Sequence, residues 1–161
     1  MTLSPARCLI LACGNTMRGD DGVGLYLAEW AERRFAEQAG LRIIADHQWT
    51  PELAEDVARA QSVLFIDCTI DSPPGVVKLT SVEPAPAGRG KGTHHLEAAQ
   101  LLALSRDFYN SLPSKSQLLT IGAGSTELSE VFSPAVTAAL PGACKMLEEA
   151  VLRLIASAAL L

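Results

Sequence analysis

The chain has 161 residues, a net charge of −5, and 48% hydrophobic against 19% charged residues. That length suits one domain with a sizeable buried core, and the composition excludes a disordered chain. The acidic balance and the lack of any Lys/Arg-rich run count against nucleic acid as a partner.

No apolar run reaches the ~20 residues that a membrane span needs. The tail from Leu152 to Leu161 is read as the continuation of an amphipathic helix. The opening residues lack the basic and apolar regions of a signal peptide, so a cytoplasmic location is expected. The four cysteines, Cys8, Cys13, Cys68 and Cys144, form no CxxC pair and read as small buried hydrophobes.

In chain order, strands and helices alternate. Cys8 to Cys13 is a continuous apolar run, as expected of a strand covered on both faces. A Gly-Asn turn follows, and the adjacent carboxylates Asp20 and Asp21 open a helix. Val23, Leu27, Trp30 and Ala31 recur along it at helical spacing, and Gly40 closes it. Leu41 to Ala45 is a second strand. Thr50-Pro51-Glu52 reads as a helix start, with a hydroxyl cap, proline at the first helical position and acid in the first turn. That helix runs to about Ala60. Ser62 to Ile66 is a third strand, buried on both faces and ending at Asp67.

Ser72-Pro73-Pro74-Gly75 turns the chain into a fourth strand, Val76 to Thr80. A Pro/Gly-rich loop, Glu83 to Gly92, leads to a helix from His95 to Tyr109. Gln117 to Ile121 is a fifth strand, ending at Gly122-Ala123-Gly124. Ser133-Pro134 repeats the cap-and-proline device and starts a long terminal helix that Pro141-Gly142 should kink or divide. The expected architecture is α/β: a single domain over residues 1–161, a three-layer α/β/α sandwich around a mostly parallel five-stranded sheet.

In such a sheet, ligands bind outside the carboxyl ends of the strands. Asp20 and Asp21 follow the first strand, Asp67 ends the third, and His94 and His95 open a later helix. The first turn resembles an anion site, but its fixed negative charge suits a cation better than a phosphate. Two carboxylates and an imidazole from separate loops make a small cation site with open positions. The alternative is structural: Asp20 and Asp21 as caps of the helix, Asp67 as the cap of a loop, and a solvated histidine pair.

Gly14-Asn15-Thr16-Met17-Arg18-Gly19-Asp20-Asp21-Gly22-Val23-Gly24 resembles the signature of the hydrogenase maturation endopeptidases. The resemblance extends through Phe65-Ile66-Asp67-Cys68-Thr69-Ile70-Asp71, His94-His95-Leu96 and Gly122-Ala123-Gly124. Those enzymes trim the C-terminal extension from the large-subunit precursor of [NiFe]-hydrogenases. The resemblance implies that Asp21, Asp67 and His94 bind metal, with His95 the neighbouring alternative. It also implies that activity depends on Asp21 and Asp67, which places the chain with aspartyl-type endopeptidases. The metal it implies is nickel carried by the precursor, with zinc or cadmium able to take its place in a purified sample.

Two other readings stay open from residues alone. One is a nucleotide- or metabolite-binding α/β module, opposed by the lack of a Lys or Ser/Thr phosphate grip. The other is a non-catalytic nickel-sensing binder. His47 follows a strand end and could line the substrate groove. Cys13 and Cys68 also lie at strand ends near the expected site.

Overall fold

The computed structural model describes residues 5–86 and 96–158. Five strands form one sheet in the order β2-β1-β3-β5-β4: β1 Cys8–Cys13, β2 Leu41–Asp46, β3 Ser62–Thr69, β4 Val77–Ser81 and β5 Lys115–Gly122. The pairings β1–β2, β1–β3 and β3–β5 are parallel, and only β4 runs antiparallel, against β5. Four α-helices cover the sheet: α1 Val23–Arg34, α2 Leu53–Arg59, α3 Ala98–Tyr109 and α4 Pro134–Ala158.

Period-two alternation along the central strands separates two cores. Ile10 and Ala12 of β1, Leu64 and Ile66 of β3, and Leu119 and Ile121 of β5 pack with α1 and α4. Leu9, Leu11, Val63 and Phe65 face the other way and pack with α2 and α3. This is why β1 reads as an unbroken apolar run: every residue in it is buried. From β1 the chain crosses through α1 to β2 on one side, then through α2 to β3 on the other. The crossing helices lie on opposite faces, so the carboxyl ends of β1 and β3 flank the switch point of the sheet.

Several expected boundaries move, each for a local reason. Asp20 and Asp21 sit in a 3-10 turn, Gly19–Gly22, ahead of α1. That helix stops at Arg34, while Gly40 (φ 82°) instead turns the chain into β2. α2 begins at Leu53, because the Thr50 and Pro51 carbonyls accept turn bonds from the Leu53 and Ala54 amides first. β3 does not end at Asp67, since Asp67, Cys68 and Thr69 pair with Thr120, Ile121 and Gly122.

The histidine pair does not open α3. Its N-cap is Glu97, in extended backbone and in a reciprocal capping box with Gln100. α4 is neither divided nor ended at Pro141. Its buried face runs from Val136 through Ala143, Leu147 and Val151 to Ile155, and that continuous burial outweighs the bond proline removes.

Candidate functional site

Across the face that carries α2 and α3, the sheet changes character in one step. Ile44, Leu11, Phe65 and Leu118 form a level row of apolar side chains. Two residues further toward the carboxyl edge, the same positions hold Asp46, Cys13, Asp67 and Thr120. A groove of about 770 Å³ opens there, lined among others by Cys13, Asp21, His47, Trp49, Asp67 and Thr120. The structure therefore brings Asp21, from the turn after β1, and Asp67, from β3, to one groove. His94 and His95 lie outside the described residues.

The first turn is built so that Asp21 points back over β1. Gly14 has φ 153°, and a Cβ there would lie 2.0 Å from the Asp21 carbonyl oxygen. Only glycine allows that approach. The Asn15 amide then donates to Asp21 Oδ2 at 2.9 Å, and the Asn15 side chain accepts from the Met17 amide at 2.9 Å. Gly24 lets α1 close on the same strand end, where a Cβ would meet the Cys13 carbonyl oxygen at 2.5 Å.

Asp20 does something different from its neighbour. It is fully buried, and its carboxylate accepts from the amides of Gly124, Ser125 and Ser133 and from the Ser133 hydroxyl, at 2.7–3.0 Å. Burial alone would raise its pKa, but the Ser133, Ser125 and Gly124 hydrogen bonds together hold it below the ordinary carboxylate range. Asp20 ties the first turn to the segment that starts α4. Its role is structural, yet it is not the helix cap expected of it: neither the 3-10 turn nor α1 has a side-chain cap.

Asp67 accepts the Cys68 amide at 2.8 Å and a hydrogen bond from the Cys13 thiol. Burial, together with the Asp67 and Asp21 charges, pushes the Cys13 thiol far above its usual range. The same causes, with Asp21 ahead of Asp67, push Cys68 up to about 12. Both thiols are protonated at neutral pH, and neither is an activated nucleophile. All four cysteines are unbridged; Cys8 and Cys13 are buried as expected, whereas Cys68 and Cys144 are only partly buried. His47 is exposed and lines the groove, with Nδ1 3.3 Å from the Gly14 carbonyl oxygen.

Among the described residues, no three His, Cys, Asp or Glu side chains are gathered closely enough to hold a metal ion. Also among them, no helix is long and apolar enough to cross a membrane. Trp49 is a feature that sequence reading missed: it is buried in the groove wall and packs edge-on against Phe65, with ring centroids 5.2 Å apart. Its one signal was an aromatic placed two residues before a helix-starting proline.

No family model matches the chain, and no curated protein matches it by sequence. Among solved structures, the hydrogenase maturating endopeptidase HybD from Escherichia coli is similar at 22% identity. It covers 91% of this chain and 93% of its own, with a TM-score of 0.74. The [NiFe] hydrogenase maturation protease HycI from Thermococcus kodakarensis is 22% identical over 93% of this chain and 92% of its own, with a TM-score of 0.65. A hydrogenase 2 maturation peptidase from a Thaumarchaeota archaeon is 23% identical over 90% and 97%, with a TM-score of 0.62. The chain has the fold of the hydrogenase maturation peptidases.

Proposed function

We propose that this chain is an endopeptidase that removes the C-terminal extension of a nickel-loaded [NiFe]-hydrogenase large-subunit precursor in the cytoplasm. The observation that carries the proposal is the meeting of Asp21 and Asp67 in one groove, at the switch point of this fold. They come from two of the segments that resemble those enzymes. Nickel enters as part of the substrate: the carboxylates of Asp21 and Asp67 meet open positions on the ion, and His94 supplies a third ligand. His95 is the adjacent alternative for that ligand.

The chain's own contribution is placement. The Asn15 amide fixes Asp21, while the Cys13 thiol and the Cys68 amide orient Asp67. Those hydrogen bonds hold both carboxylates in position to meet a cation. Oxygen donors suit a borderline divalent ion whose softer ligands come from the precursor.

The test is incubation with purified nickel-loaded precursor, followed by mass spectrometry for loss of the extension. Cleavage by the native chain, abolished in Asp21→Ala and Asp67→Ala, is expected. Cleavage that persists in both variants would overturn the roles of these aspartates. A native chain that binds the precursor and leaves it uncut would establish the non-catalytic sensor instead.

A further inference from the structure

Large apolar side chains stand exposed at both edges of the sheet, and their surroundings differ. At the carboxyl edge are Met17 (59% exposed), Ile70 (81%), Leu128 (84%) and Val131 (74%). Met17 belongs to the turn that holds Asp21. The segment carrying Leu128 and Val131 is bound to that turn: the Ser129 amide donates to the Met17 carbonyl at 3.0 Å, and the Gly19 amide to the Ser129 carbonyl at 2.8 Å. Ile70 lines the groove directly. At the opposite edge are Phe108, Tyr109 and Leu112, at the end of α3 and just beyond it.

The charges beside the two groups are unlike. Glu127, Glu130 and Asp71 are exposed next to Leu128, Val131 and Ile70. Arg18, a cation on that side among the described residues, donates its Nε to the Thr126 carbonyl at 3.3 Å. By contrast, Phe108 and Leu112 adjoin the Arg106–Asp107 ion pair and Lys115, so that edge is not acidic. An exposed apolar cluster bound to a turn that lines a groove marks a contact surface, and its acidic neighbours among the described residues select the sign of the partner.

We propose that Met17, Leu128 and Val131, together with Ile70 of the groove lining, form the surface on which the folded body of the precursor docks, through an apolar patch bordered by Lys or Arg. The inference rests on the function proposed above and names where the partner is held outside the groove. Apolar contact supplies the core of the interface, and Glu127, Glu130 and Asp71 steer the approach of a basic surface.

The test measures binding of purified nickel-loaded precursor to the full chain by calorimetry. Leu128→Asp combined with Val131→Asp is expected to weaken binding at least tenfold, with an unchanged melting temperature because both side chains are solvent-exposed. Phe108→Asp, of similar exposure at the other edge, should bind as the native chain does. Glu127→Lys combined with Glu130→Lys should also weaken binding and flatten its salt dependence.

Native affinity in the Leu128/Val131 variant, alongside normal cleavage by the native chain, would overturn the docking surface and leave the protease standing. Absence of both binding and cleavage in the native chain would overturn the protease itself. A native chain whose mass in solution is that of a dimer, lost in the same variant, would assign the patch to a second copy and overturn the proposal.

Discussion

Removing the Asp20 carboxylate strands four donors, the amides of Gly124, Ser125 and Ser133 and the Ser133 hydroxyl. A buried donor left unpaired costs roughly 1–3 kcal/mol, so Asp20→Ala should lose about 3 kcal/mol or more in a denaturant melt. The sign of its pH dependence follows from a folded-state pKa below the ordinary value. Its stabilisation is fully present above the unfolded-state pKa and is lost as pH falls through the folded one. As pH falls below about 4, the native chain should therefore lose stability more steeply than Asp20→Asn. Asp21→Ala removes one hydrogen bond at a half-buried position, with an expected loss of about 1 kcal/mol. Its larger effect should be on cleavage. The sequence places both acids at the site and cannot tell them apart, because the partners of Asp20 lie more than a hundred residues along the chain. Asp67 was easier to read: an acid following a strand buried on both faces has only the carboxyl edge to go to.

At the scale of elements, what was legible followed from periodicity, and what was missed followed from long-range contact. The five strands and the face of α1 were readable, β1 and β3 from unbroken apolar runs and α1 from its helical spacing. The true end of β3 was not, since its last three residues are strand only by pairing with β5. The continuity of α4 was hidden by Pro141 and Gly142, which read as a break when the core face beneath them is unknown. That face yields a prediction. Gly142 is exposed inside the helix, and a Cβ there would meet nothing within 4 Å. Gly142→Ala should therefore stabilise the chain by about 1 kcal/mol, seen as a rise of roughly 2–4 °C in the melting temperature. Gly24→Ala should act in the opposite direction, because its Cβ would sit 2.5 Å from the backbone oxygen of Cys13. Backbone on both sides cannot yield cheaply, so a loss of several kcal/mol is expected by the same measurement, together with lost cleavage as α1 lifts from the strand end.

For the whole molecule, the switch point decides where function can be built. α1 leaves β1 on one face and α2 approaches β3 on the other, so the carboxyl ends of these strands form a crevice that neither helix fills. The groove lies there, and Asp21 and Asp67 reach it from opposite sides of that crossing. No cluster of three ligand-type side chains is gathered among the described residues. If nickel comes with the substrate, the chain should bind a free ion weakly and an ion already held by the precursor well. Desalting the free chain after incubation with nickel should then leave little metal, while nickel-loaded precursor is cleaved and nickel-free precursor is not. Zinc or cadmium, which accept the same oxygen and imidazole donors, should be held as loosely by the free chain. Elemental analysis of the desalted chain, beside mass spectrometry of both precursors, decides the matter. Stoichiometric nickel retained by the free chain, or equal cleavage of the two precursors, would mean that Asp21 and Asp67 do not read a metal presented by the substrate.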